Sequence, residues 1–161
     1  MRVLIGADAN GVEAAALVQK ILEEHGVDAR DVSAEHSAVD YPDVADQVAR
    51  AVAAGQADRG VLICGTGIGM SIVANKVPGI RAALAHDAYS AERAIKSNNA
   101  QVLTMGALVI GPQLMRTVIE TWLRADWDET SPSARKVDRI VALEQDRPNE
   151  EAASAEAQMP R

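Results

Sequence analysis

The sequence predicts an α/β fold: a three-layer αβα sandwich around a five-stranded parallel sheet, Rossmann-like or flavodoxin-like. Three observations carry that prediction. Five short apolar runs alternate with longer stretches whose apolar residues recur at helical spacing. Parallel strands need crossover connections, and these place helices over both faces of the sheet. The chain has 161 residues, 48% hydrophobic and 24% charged, which suits one domain with a full core.

Residues 1–6 (MRVLIG) read as the first strand. Over 12–25, Ala14, Leu17, Val18, Ile21 and Leu22 fall on one helical face, and Gly26 can end the helix. A short strand over 29–32 and a loop lead to a helix that Pro42 is placed to start. Its apolar face is Val44, Ala45, Val48, Ala49 and Val52, with Gly55 near its stop. The third strand is 60–64, followed by a helix over 68–76 that Pro78-Gly79 ends. A strand over 80–85, a helix over 89–96 and a strand over 102–105 come next, then helices over 112–124 and 133–143. Residues 1–144 are expected to form the domain. Residues 145–161 (QDRPNEEAASAEAQMPR) lack a usable apolar face and read as a flexible tail.

With 23 acidic against 16 basic side chains the net charge is −7, and aromatic residues make up 2% of the chain. That argues against a nucleic-acid surface, which wants a basic stripe and stacking rings. No apolar stretch approaches the roughly 20 residues that span a bilayer. The beginning of the chain lacks a signal-peptide pattern, and the one cysteine cannot form an internal disulfide, so a cytoplasmic protein is expected.

In an open parallel sheet, ligands bind beyond the carboxyl ends of the strands. The stretch VLICGTGIGMS places the single cysteine, Cys64, at such an end, where Gly65, Gly67 and Gly69 let backbone N–H groups approach a ligand oxygen. The pattern lacks the spacing of a dinucleotide fingerprint and the lysine of a phosphate-binding P-loop. Amides at a helix start favour the thiolate, the form that acts as nucleophile or base. On spacing alone, Cys64 is equally a small buried residue closing a core strand. Asp8 after the first strand either caps the next helix or binds substrate. Thr66 is a turn former or a proton-relay hydroxyl, and Tyr41 either packs or faces a site.

The run CGTGIGMSIVANKVPGIRAALAHD, with DYPDVADQVARAVAAGQADRGVLI before it, resembles the ribose-5-phosphate isomerase B and galactose-6-phosphate isomerase family of sugar-phosphate isomerases, over residues 1–143. The resemblance implies aldose–ketose isomerisation through an enediolate, without metal or organic cofactor. It implies a homodimer or dimer of dimers whose sites lie between subunits, and a sugar or sugar phosphate as the small-molecule partner. By resemblance Cys64 is the base, Gly65, Gly67 and Gly69 frame amides for the enediolate oxygen, and Thr66 moves the hydroxyl proton. Asp8 binds a sugar hydroxyl, Tyr41 lines the pocket, and Asn98 reaches substrate from the partner's side. Asn10, Ser71, Ser97, Arg135 and Lys136 complete the expected substrate-binding set.

The chain departs from the family pattern at several of these positions. Ala9-Asn10 replaces the histidine after the first aspartate, and Ser97 replaces the histidine credited with opening the sugar ring. Leu108 stands for an arginine, and residues 130–136 (TSPSARK) replace a histidine- and arginine-bearing segment, leaving Arg135 and Lys136 as its basic residues. His25, His36 and His86 do not occupy the lost positions; His86 borders the loop after the fourth strand. The expected enzyme is therefore an isomerase whose substrate differs from ribose 5-phosphate, such as a tetrose or an unphosphorylated or carboxylated sugar. The alternative is a catalytically silent or partner-dependent subunit, against which the retained Cys64 speaks. A phosphorylatable receiver domain fails for want of its acidic cluster and lysine.

Overall fold

The computed structural model of the chain describes residues 1–33 and 40–145, the last of these by its backbone; His36 and the expected tail beyond Gln145 lie outside the described residues. The elements run β1 (Arg2–Ala7), α1 (Val12–Glu24), β2 (Asp28–Asp31), α2 (Tyr41–Ala53), β3 (Arg59–Cys64), α3 (Ile68–Ala74), β4 (Ala82–Leu84), α4 (Ala88–Asn98), β5 (Val102–Gly106), α5 (Pro112–Arg124) and α6 (Ala134–Gln145). The strands form one parallel sheet in the order β2-β1-β3-β5-β4. Compared with a flavodoxin-like order, the last two strands are exchanged, and β5 sits between β3 and β4.

The order decides which helix covers which face. The steps β2→β3 and β3→β4 run one way across the sheet, whereas β1→β2 and β4→β5 run the other. With crossovers of one hand, the helices of the first pair and those of the second land on opposite faces. The core divides accordingly. Leu62, Cys64 and Val102 pack with Val44, Val48 and Met70 beneath α2 and α3. Val61, Ile63, Leu103 and Met105 pack on the other face with Val18, Ile21, Ile95, Ile119 and Trp122.

Elements differ from their expected bounds by one or two residues, and for β4 and α4 the physical reason is visible. β4 is only three residues long because its start is not paired by the ladder alone: Arg81 N donates to the side-chain Oε1 of Gln101 at 2.9 Å. α4 begins earlier, at Ala88, because Asp87 caps it, its carboxylate accepting from Ser90 N at 2.8 Å. It ends later, at Asn98, where Asn99 turns into the left-handed region at φ 46°.

The edge where strands begin is fastened by arginines. Arg59, opening β3, donates to the carbonyls of Trp122 and Ala125, each at 3.0 Å, and lies 5.1 Å over the Trp122 ring. Burial lowers its pKa from the ordinary arginine value. Arg81, just before β4, donates through Nε to the carbonyls of Asn98 and Asn99. Each guanidinium thus meets carbonyls at a helix C-terminus, where the dipole favours a cation.

Candidate active site

At the other edge, β1, β3 and β5 deliver three loops side by side. β3 ends at Cys64, whose thiol is buried and whose Sγ accepts from Gly67 N at 3.0 Å. That contact needs the backbone to double back within three residues, and Gly67 does so at φ 78°. A Cβ on Gly67 would stand 2.6 Å from Leu84 and under 3 Å from the Met105 backbone, so only glycine fits. At Gly69 a Cβ would meet the Tyr41 ring at 2.6–3.0 Å; the missing side chain is what lets Tyr41, half exposed at the start of α2, lie over the loop. Gly65 is flanked more loosely by Leu108 and by the Asn10 amide.

Gly67 spends its N–H on the thiol, which modifies the expectation that all three glycines offer amides to a ligand. The first-turn N–H groups of Gly69 and Met70 have no helical acceptor behind them. Thr66 is exposed, and its Oγ1 accepts from Ile68 N at 3.4 Å, the bond of a turn former. Ser71 is half-buried one turn into α3. Farther along the same signature, Asn75 donates to the Ser71 and Ala82 carbonyls and accepts from Ala82 N, clamping α3 to β4.

The β1 loop settles one of the open alternatives in part. Asp8 Oδ1 accepts from Asn10 N at 2.9 Å and Gly11 N at 3.2 Å, so the carboxylate does shape the turn into α1. Its second oxygen makes no hydrogen bond among the described residues and remains available to a ligand. Asn10 and Leu108 share a cleft of about 350 Å³ with Glu13, Leu17 and Met115. The β5 loop is tied to the cysteine loop through Ala107 N to Cys64 O at 2.8 Å and Leu108 N to Gly65 O at 3.0 Å. A larger cleft of about 460 Å³, lined by Arg30, Gln47, Arg50 and Gln56 among others, flanks β2 and α2 and holds none of the expected site residues.

The structure brings together Asp8, Asn10, Tyr41, Cys64, Gly65, Thr66, Gly67, Gly69 and Ser71. It does not bring Ser97, Asn98, Arg135 or Lys136 to them. Ser97 and Asn98 end α4, where Arg81 holds the Asn98 carbonyl at the opposite edge of the sheet. Arg135 and Lys136 are exposed at the start of α6, whose far end is tied to that same edge by Gly79 N donating to Glu144. Sequence reasoning passed over Asp87, although the Asp-x-x-Ser spacing of a helix cap was present. It left His86 at the border of the site, whereas Gly106 N donates to its Nε2 at 2.9 Å. No residue spacing announces that bond.

A buried thiol held by an amide, beside exposed loop hydroxyls and a half-free carboxylate, can move a proton at carbon and hold the neighbouring oxygens. Among the described residues, no three or more of His, Cys, Asp and Glu gather as a metal site requires, and no helix is long and apolar enough to cross a membrane. Residues 3–140 match the family model described as Ribose/Galactose Isomerase. The "Ribose-5-P isomerase B" of Listeria innocua is 48% identical over 90% of this chain and 98% of its own. The "D-erythrulose-4-phosphate isomerase" of Pectobacterium atrosepticum is also 48% identical, over 87% of this chain and 93% of its own. The solved ribose-5-phosphate isomerase B of Clostridium thermocellum superposes with a TM-score of 0.85 at 38% identity, covering 90% of this chain and 98% of that one.

Proposed function

Given that the chain belongs to the Ribose/Galactose Isomerase family and is a sugar-phosphate isomerase, we propose that it interconverts a four-carbon ketose phosphate and its aldose, with Cys64 as the base. The observation that carries the base assignment is the Cys64 Sγ held by Gly67 N at 3.0 Å where β1 and β3 part company. The thiolate takes a proton from C1 of the ketose, leaving an enediolate whose charge sits on the C2 oxygen. The first-turn amides at Gly69 and Met70 face that charge, Thr66 Oγ moves a proton between the two oxygens, and the thiol returns its proton to C2. The free oxygen of Asp8 receives a substrate hydroxyl, and Asn10, Tyr41 and Ser71 line the remaining wall.

Chain length follows from chemistry. A tetrose with its fourth oxygen phosphorylated cannot close a five-membered ring, so its isomerase needs no group to open one, and Ser97 stands where the family's ring-opening histidine would be. One of the two 48% identical relatives carries the name of a four-carbon isomerase. Losing two arginine contacts weakens a phosphate end by about 3–6 kcal/mol, which leaves Arg135 and Lys136 as its holders.

The site is shared between two copies of the chain. Asn98 lies at the edge opposite Cys64, so a second copy must supply it. Ile68, Ile72, Leu84, Leu108 and Val109, all exposed around the loops, offer the apolar ground for that contact.

Steady-state rates with D-erythrulose 4-phosphate and ribose 5-phosphate test the substrate. The four-carbon substrate is expected to lead in kcat/KM by about tenfold or more; a lead for ribose 5-phosphate sinks the reading. Mixing inactive Cys64→Ala and Asn98→Ala chains tests sharing. Random dimers should recover about a quarter of the activity, because half are hybrids with one intact site of two; no recovery after subunit exchange places Asn98 outside a shared site.

A further inference from the structure

His86 closes the cysteine loop from the β4 side. β4 pairs with β5 as far as Leu84 opposite Thr104, and Ala85 N adds one more bond to the Thr104 carbonyl at 3.1 Å. In a continued parallel ladder, the next β5 donor, Gly106 N–H, would go to a β4 carbonyl. It goes instead to His86 Nε2 at 2.9 Å, so a side chain takes over where the strand stops. A ring nitrogen that accepts carries no proton; the imidazole is neutral, with its proton on Nδ1.

Gly106 is the register partner of Cys64, and a Cβ there would stand 2.7 Å from Thr66 Cα. The next two amides, Ala107 and Leu108, hold the Cys64 and Gly65 carbonyls. One imidazole therefore anchors the strand end against which the cysteine loop leans. We propose that His86 is a positioning residue for proton transfer at Cys64, and that its protonation frees Gly106 N–H and slows the enzyme. The proposal rests on the reading of the Cys64 loop as the catalytic loop. In the imidazolium both ring nitrogens carry protons, so Nε2–H would face Gly106 N–H and the bond cannot survive.

The titratable groups around the ring are few. Asp87, next in the chain, is the one that interacts with it electrostatically among the described residues; β5 and residues 106–110 carry none. Asp87 is occupied as a cap, its carboxyl held below the usual carboxylate value first by the Ser90 hydroxyl, then by the Ser90 amide.

Three measurements on the full chain decide it. In ¹⁵N-labelled wild-type protein, the Gly106 amide should shift and lose its protection from hydrogen exchange in one step as pH is lowered, and kcat/KM should fall in the same step. His86→Leu should lower kcat about tenfold or more at every pH and abolish the step, because no acceptor remains. His86→Gln, whose carbonyl accepts but does not titrate, should recover most of that loss, also without the step. A His86→Leu enzyme with the wild-type rate and pH profile overturns the proposal. So does a Gly106 amide indifferent to pH, which decides the matter even if the leucine variant fails to fold. Activity of Cys64→Ala separates the two readings: retained activity topples the catalytic loop itself, whereas an inactive Cys64→Ala beside wild-type-like His86 variants topples only the role of His86.

Discussion

The two edges of the sheet are built from opposite materials. Where strands begin, long charged side chains reach across elements and are consumed doing so: Arg59 on the Trp122 and Ala125 carbonyls, Arg81 on Asn98 and Asn99. Where strands end, glycines remove side chains and leave backbone groups bare, and Thr66, Tyr41 and one oxygen of Asp8 are free to meet a ligand. One edge holds the helices in place; the other is kept open by them. The division explains how a chain can present a thiol beside open loops while its helices are held from the other edge.

Substitutions at the two edges should therefore fail differently. The largest effect is expected for Cys64→Ala, which should lower isomerisation and solvent-deuterium uptake about 10³-fold or more while melting close to wild type, since the change removes only one sulfur from the core. Near-wild-type exchange would break the contrast at its strongest point. Gly67→Ala should cross the divide. It adds a Cβ in the left-handed region and within 3 Å of the Met105 backbone, so a loss of about 2–4 kcal/mol in chemical denaturation should accompany a loss of rate.

Arg59→Ala should do the reverse of Cys64→Ala. Losing two charge-assisted hydrogen bonds and the contact with Trp122 should reduce stability by about 1–3 kcal/mol, discounted for partial exposure, with kcat unchanged. A kcat that falls with stability would show the edges to be coupled. The smallest effect belongs to Asp87→Ala, expected to lower Tm by about 2–4 °C at pH 7 through loss of the α4 cap. Because the folded carboxyl titrates below the usual value, its contribution is full above the carboxylate range and fades as pH falls through the folded value. The difference in Tm between variant and wild type should shrink in the same direction.

Much of this architecture was legible in the chain. Pro112 fixed the start of α5, alternating apolar runs located the strands, and the glycine-rich end of β3 pointed to the loop that gathers Asp8, Tyr41 and Thr66. What was hidden is pairing. Periodicity tells which face of β5 is buried but not that it lies between β3 and β4, because adjacency is set by crossovers and not by residue pattern. For the same reason, the resemblance could name Asn98 as a ligand of substrate while only the fold showed it at the far edge of its own chain. His86 was invisible as an anchor because its partner is a backbone amide twenty residues on, brought near by that same insertion of β5.

The place of β5 also bears on how the molecule is made. It is the last of the five strands to leave a ribosome, yet it pairs on both sides with strands already synthesised. Until it arrives, β4 has no neighbour, and the nascent chain can assemble only β2, β1 and β3. Its late entry between two waiting strands is a long-range step, slow by its topology and exposed to mispairing meanwhile. The Cys64 loop likewise lacks the Ala107 and Leu108 amides until then, so the sheet and the candidate site are completed by one late event.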